Sequence, residues 1–141
     1  MFRLVIDTDV MVAALESEAG ASRRVLEAVL RGEVHLLLST ALMVEYEAVL
    51  TRPETLARSG LSASDTWKIL DELARICRPV VFDYRWRPLA ADVDDDFVVE
   101  TAINGAAEVI ASFNIRDMTA GAAMFGIAVE RPAVILRRMR R

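Results

Sequence analysis

The sequence predicts a three-layer α/β/α domain built on a central, mainly parallel sheet of about five strands. Five short apolar runs recur along the chain, with longer helix-like stretches between them, and that alternation is the pattern of a doubly wound α/β sheet. The runs are continuous rather than alternating, as expected for parallel strands covered on both faces.

Leu4-Val5-Ile6 reads as the first strand, His35 to Leu38 as the second and Val80 to Phe82 as a short third. Glu108 to Ala111 follows, and Ile127 to Val129 closes the set. Ser22 can cap a helix running to about Leu30, with Gly32 as its stop. Ser39 or Thr40 opens the next, which Arg52-Pro53 ends near Thr51. Ser62 or Ser64 opens a stretch through about Ile76, the aspartate run opens another that stops near Gly105, and a last helix starts near Pro132. Thr51 to Ser64 reads as a hinge between helices.

Residues 1–141 are one domain's worth of chain, without an internal repeat or a long linker. An apolar content of 54% with 27% charge is that of a globular protein and excludes a disordered one. Cys77 is the only cysteine, which rules out an internal disulfide and fits a reducing compartment. Met1 leads directly into FRLVIDTDV, with no signal peptide and no membrane-length apolar run, so a cytoplasmic protein with no membrane role is expected. A net charge of −4 argues against a broadly basic nucleic-acid binder. Acid concentrates in Asp92, Asp94, Asp95 and Asp96, base in Arg137, Arg138, Arg140 and Arg141.

Doubly wound folds bind ligands beyond the carboxyl ends of their strands. Asp7 directly follows Leu-Val-Ile and so stands at such an end, where a turn or cap role is the ordinary alternative. On the helix from Thr40, Leu42, Tyr46, Val49 and Leu50 make an apolar stripe that Glu45 borders, while Glu47 is expected to face solvent. A carboxylate edging a buried face needs a cation, a metal or hydrogen bonds to offset desolvation. The run Asp92-Val93-Asp94-Asp95-Asp96 holds more acid than helix capping requires, and a divalent cation would relieve its repulsion. With a helix from about Asp94, Asp95 shares a face with Val98, Val99 and Ala102, and Asp96 turns outward. Ser112, Asn114 and Asp117 add three oxygen-bearing side chains just past the fourth apolar run.

Hard oxygen ligands without histidine or cysteine suit Mg²⁺ or Mn²⁺ rather than zinc. The lone His35 lies inside a predicted strand, which leaves Ser–His–Asp and Cys–His mechanisms poorly supported. A carboxylate-held metal can activate water and offset phosphodiester charge, which points to hydrolysis of nucleic acid.

The segments LVIDTDVMVAAL, LSTALMVEYEAVLTRP and DVDDDFVVETAINGAAEVIASFNIRD, with the closing FGIAVERPAVIL, resemble in order the PIN-domain family, in particular the VapC-like toxins of prokaryotic toxin–antitoxin systems. The resemblance covers almost the whole chain. It implies a Mg²⁺- or Mn²⁺-dependent endoribonuclease of single-stranded RNA, homodimeric and silenced by a cognate antitoxin. Asp7 matches the family's first acid and Glu45 its second. The third lies seven residues before a small residue of the following helix, which makes it Asp95, flanked by Asp94 and Asp96. These three acids would hold the metal. The family's Thr-x-Asp segment is here Ser112-Phe113-Asn114, so Asn replaces the fourth acid, and Asp117 is the nearby candidate to supply its charge. The resemblance gives Asn114 and Asp117 the orienting of ligands, water or a second metal. It gives Ser112 a contact to phosphate or support of Asp7, and Arg116 and the terminal arginines contacts to RNA phosphates. Asp9 stands where the family usually has Asn.

Two other readings compete. Asp7-Thr8-Asp9 also resembles the strand-end Asp-x-Asp of haloacid-dehalogenase-like phosphatases, which need a later lysine. Only Lys68 is available, on an amphipathic helix, and Glu45 would have no role. The second is a PIN-like RNA-binding or protein-interaction module weakened in catalysis, for which Asn114 speaks.

Overall fold

The computed structural model describes residues 2–82 and 96–140. Its elements run β1 (Arg3–Ile6), α1 (Thr8–Glu16), α2 (Ala21–Leu30), β2 (His35–Ser39), α3 (Thr40–Leu50), α4 (Pro53–Ser59), α5 (Ala63–Ile76) and β3 (Arg78–Val80). They continue with α6 (Asp96–Asn104), β4 (Val109–Ala111), α7 (Ile115–Ala123), β5 (Ala128–Glu130) and α8 (Pro132–Met139). The strands form one sheet in the order β3-β2-β1-β4-β5, every neighbouring pair parallel. The expected α/β sandwich is therefore present.

Its winding follows from the order. From β1 the chain steps through β2 to β3, so α1 to α5 share one face, where α1 packs on α2 and α3, and α5 on both α2 and α3. It then crosses to β4 and on to β5, which puts α6 and α7 together on the other face. α8 returns to pack on α2. Leu4, Val5 and Ile6 of the central strand and Val109, Ile110 and Ala111 beside it are all within 1% of complete burial. This explains why these runs read as unbroken apolar segments.

The reversal falls between β1 and β4, which pair Leu4 with Val109, Val5 with Ile110 and Ile6 with Ala111. The ladder goes one step further, Asp7 N–H donating to the Ala111 carbonyl at 2.8 Å. Asp7 and Ser112 thus leave the sheet side by side at its topological switch point, the place where such folds bind ligands.

Several local expectations need correction. The stretch expected as a hinge contains α4: Pro53 does end α3, but it occupies the first turn of a new helix, where its missing N–H costs nothing. α1 and α7 were not anticipated. Each follows its strand closely, because Asp7 serves as both strand end and helix cap and only Ser112, Phe113 and the cap position Asn114 separate β4 from α7. α2 starts from Gly20, so Ser22 is a buried residue of its first turn rather than its cap. The third strand is Arg78–Val80, not Val80 to Phe82. It is an edge strand, in which Pro79 is tolerated, and it pairs Leu37 with Arg78 and Ser39 with Val80. Glu47 is half-buried like Glu45, not solvent-facing.

Gly105 closes α6 against the sheet. A Cβ there would lie 2.8 Å from Leu37 Cδ1 and 2.9 Å from Val80 Cγ2, so any other residue would force these packed side chains to shift.

Candidate active site

Asp7 is 6% exposed and caps α1, its Oδ1 accepting from Thr8 N–H at 2.8 Å. Its Oδ2 accepts from the Ser112 hydroxyl at 2.7 Å. The same Ser112 oxygen accepts from Asn114 N–H at 2.8 Å, and Ser112 itself is fully buried. One hydroxyl therefore links the ends of β1 and β4 and fixes the Asp7 carboxylate.

Asp9 lies in the first turn of the helix that Asp7 caps. Its Oδ2 accepts from Phe113 N–H at 3.1 Å, a second tie between α1 and the loop after β4. Among the described residues its buried Oδ1 has no hydrogen-bond partner, and neither has the Thr8 hydroxyl oxygen. Burial lifts the Asp9 carboxyl above the usual range, against the pull of the Phe113 N–H.

Glu45 is placed from beneath by its neighbour. Tyr46 is fully buried and donates its hydroxyl to the Ile6 carbonyl, pinning α3 to the last residue of β1. Burial, with Asp7 as the next cause, pushes the Tyr46 phenol well above its ordinary pKa, so it stays a donor. Because Glu45 precedes Tyr46 and Asp7 follows Ile6, this bond sets the two carboxylates on the walls of one cleft. The cleft measures about 430 Å³ and is lined by Asp7, Thr8, Asp9 and Glu45, with Phe97, Phe113 and Asn114 around them.

This donor set is all oxygen, and among the described residues the buried Oδ1 of Asp9 has no partner, so the cleft suits a hard divalent cation. Among the described residues no three acidic, histidine or cysteine side chains already stand together as a metal cage. Asp95, which the resemblance names as the third acid, lies outside the described residues, as do Asp92 and Asp94. Asp96 opens α6.

A family model, described as PIN domain, matches residues 3–116, from β1 into α7 and across every element of the cleft. The chain belongs to the PIN-domain family. No curated protein matches it by sequence. Among solved structures it is similar to VapBC2 from Rickettsia felis bound to a DNA fragment from their promoter, with a TM-score of 0.59 at 12% identity, covering 92% of this chain and 98% of that one. It is also similar to FitAB bound to an IR36 DNA fragment, with a TM-score of 0.55 at 19% identity, covering 92% and 94%. At these identities the likeness is one of fold.

The remaining expected residues of this PIN domain divide by position. Asn114 lines the cleft, whereas Asp117 lies a turn further along α7, half-buried and off the lining. Arg116 is exposed beside it. Arg137, Arg138 and Arg140 sit in the last turn and cap of α8, whose first residues lie at the site edge of the sheet, so the helix carries them away from the cleft. Arg138 pairs with Glu130. Lys68 is exposed on α5, outside the cleft, which removes the lysine that the phosphatase reading requires. His35 opens β2, at the opposite end of the strand, with Nε2 2.9 Å from Arg78. Among the described residues no helix is long and apolar enough to cross a membrane.

Three residues escaped the sequence reading. Phe97 and Phe113 line the cleft, and Glu100 is a fully buried carboxylate on α6. Phe113 had a signal, a large apolar residue between two polar ones just past a strand end. Glu100 had none, since its neighbours describe an ordinary amphipathic helix.

Proposed function

We propose that this PIN domain is a Mg²⁺- or Mn²⁺-dependent endoribonuclease acting on single-stranded RNA, the toxin of a toxin–antitoxin pair. The observation that carries the reading is the shared cleft of Asp7, Asp9 and Glu45 at the switch point. The family match supports nuclease chemistry, and the likeness to VapBC2 and FitAB supports a protein partner. The homodimer and the cytoplasmic setting belong to the same reading.

Asp7, Glu45 and Asp95 would hold the metal, with Asp94 and Asp96 adding negative charge. When bound, such an ion lowers the pKa of water and offsets charge on the phosphodiester. Ser112 keeps the Asp7 carboxylate in one orientation. Asn114 presents an amide where the family has an acid, suited to orienting water or a phosphate oxygen, with Asp117 behind it. Arg116, exposed at the start of α7, offers a cation to the RNA backbone.

Asn114 also favours a second reading, an RNA-binding or protein-interaction module with weakened catalysis. Incubating purified, partner-free protein and Mn²⁺ with labelled single-stranded RNA, duplex RNA and single-stranded DNA separates the two. Cleavage confined to single-stranded RNA, suppressed by the co-expressed partner, supports the toxin. Binding without cleavage supports the module.

A further inference from the structure

Phe113 is 44% exposed although it is the largest apolar side chain in the loop that carries Ser112 and Asn114. It lines two cavities. One is the acid cleft; the other is an apolar groove of about 300 Å³ between the α1–α2 turn and the start of α8, with Ala13, Gly20, Pro132 and Arg131 on its walls. The Phe113 backbone is not free to wander, since its N–H is held by Asp9 and both neighbours share the Ser112 hydroxyl. The phenyl ring therefore stands on a held backbone between the two cavities, with carboxylates on one side and an apolar trough on the other.

An anionic RNA gains nothing from the acids of the cleft by themselves, so affinity close to the reacting phosphate has to come from elsewhere. Aromatic rings that stack on bases supply it without regard to charge. We propose that Phe113 is the stacking platform for the nucleobase next to the scissile phosphate, and that this base lies in the apolar groove with exposed Arg131 near the phosphate beyond it. The proposal rests on the ribonuclease reading of the cleft and adds a binding residue to it. A stacked base must first leave any duplex, so Phe113 would also contribute to the choice of single strands. The occupant is a nucleobase because the ring borders the cleft in which the ribonuclease reading places the reacting phosphate.

The test compares wild type with Phe113→Leu and Phe113→Trp, each also in an Asp7→Asn background. Short single-stranded RNAs carry 2-aminopurine at successive positions. Phe113→Leu is expected to raise KM for cleavage by about tenfold or more, exceeding any fall in kcat, while Phe113→Trp restores it. In the Asp7→Asn background with Mn²⁺, 2-aminopurine fluorescence is expected to be quenched at one register by Phe113 and by Trp, and not by Leu. Unchanged KM and quenching in Phe113→Leu, with wild type cleaving normally, overturns the stacking role alone. The same result with weakened binding of the partner protein assigns the groove to that protein and overturns the proposal too. Wild type that neither cleaves nor binds RNA overturns the ribonuclease reading and the stacking role together. If it binds without cutting, the quenching decides the stacking role by itself.

Discussion

The Ser112 hydroxyl donates to Oδ2 of Asp7 at 2.7 Å while accepting from Asn114 N–H, so a single buried oxygen holds together three residues from the ends of two strands. Ser112→Ala removes both bonds inside a closed space. It is expected to cost about 1–3 kcal/mol of stability and to weaken Mn²⁺ binding about 10- to 100-fold. Ser112→Thr, which restores the family's residue, should keep most of both. Chemical denaturation and calorimetric Mn²⁺ titration measure the two effects.

Tyr46 makes a similar tie beneath the site. Tyr46→Phe keeps the ring and its packing but leaves the Ile6 carbonyl without this donor. A loss of about 1–2 kcal/mol is expected in urea melts. Cleavage should fall as Glu45 and Asp7 lose their fixed separation, while the far-UV circular dichroism spectrum remains that of the wild type.

Asp9 gives a pH signature. Burial raises its pKa in the folded protein, so its contribution to stability is present below the unfolded pKa and is lost as pH rises through the folded value. Asp9→Asn, tested in EDTA at neutral pH, should therefore raise Tm by about 2–4 °C. The gap should close as the solution is acidified. Saturating Mn²⁺ should stabilise the wild type more than the variant, because the ion compensates the charge that the variant lacks. Thermal melts from acid to neutral pH, with and without Mn²⁺, check all three points.

Asn114→Asp returns the acid that the family pattern carries at this corner. Mn²⁺ affinity is expected to rise on the order of tenfold, with a lower Tm in EDTA as another carboxylate joins Asp7 and Asp9. Unchanged Mn²⁺ affinity would show that Asn114 lies too far from the ion to matter.

Much of this arrangement was legible in the sequence. Leu4 to Ile6 and Val109 to Ala111 read as strands because burial on both faces leaves them no polar position, and Asp7 was conspicuous as the first break in such a run. Glu45 was legible because Leu42, Tyr46 and Leu50 mark the buried stripe beside it. α1 and α7 were not, because Asp7 is strand end and helix cap at once and only Ser112, Phe113 and Asn114 separate β4 from α7. α4 was hidden by Pro53, whose one chemical property both stops a helix and starts the next. The hydrogen bonds from Ser112 to Asp7 and from Phe113 to Asp9 span 105 and 104 residues, and no local pattern encodes pairings of that reach.

The central claim is metal-dependent RNA cleavage by the carboxylates gathered at Asp7. Its most direct test is single-turnover cleavage of a single-stranded RNA pool by partner-free protein, wild type against Asp7→Asn, with Mn²⁺ and with EDTA. The expected result is cleavage by the wild type with Mn²⁺, its loss in EDTA, and a fall of at least about a hundredfold in Asp7→Asn that has kept its fold. Cleavage that survives EDTA, or an Asp7→Asn protein that cuts at the wild-type rate, would contradict it.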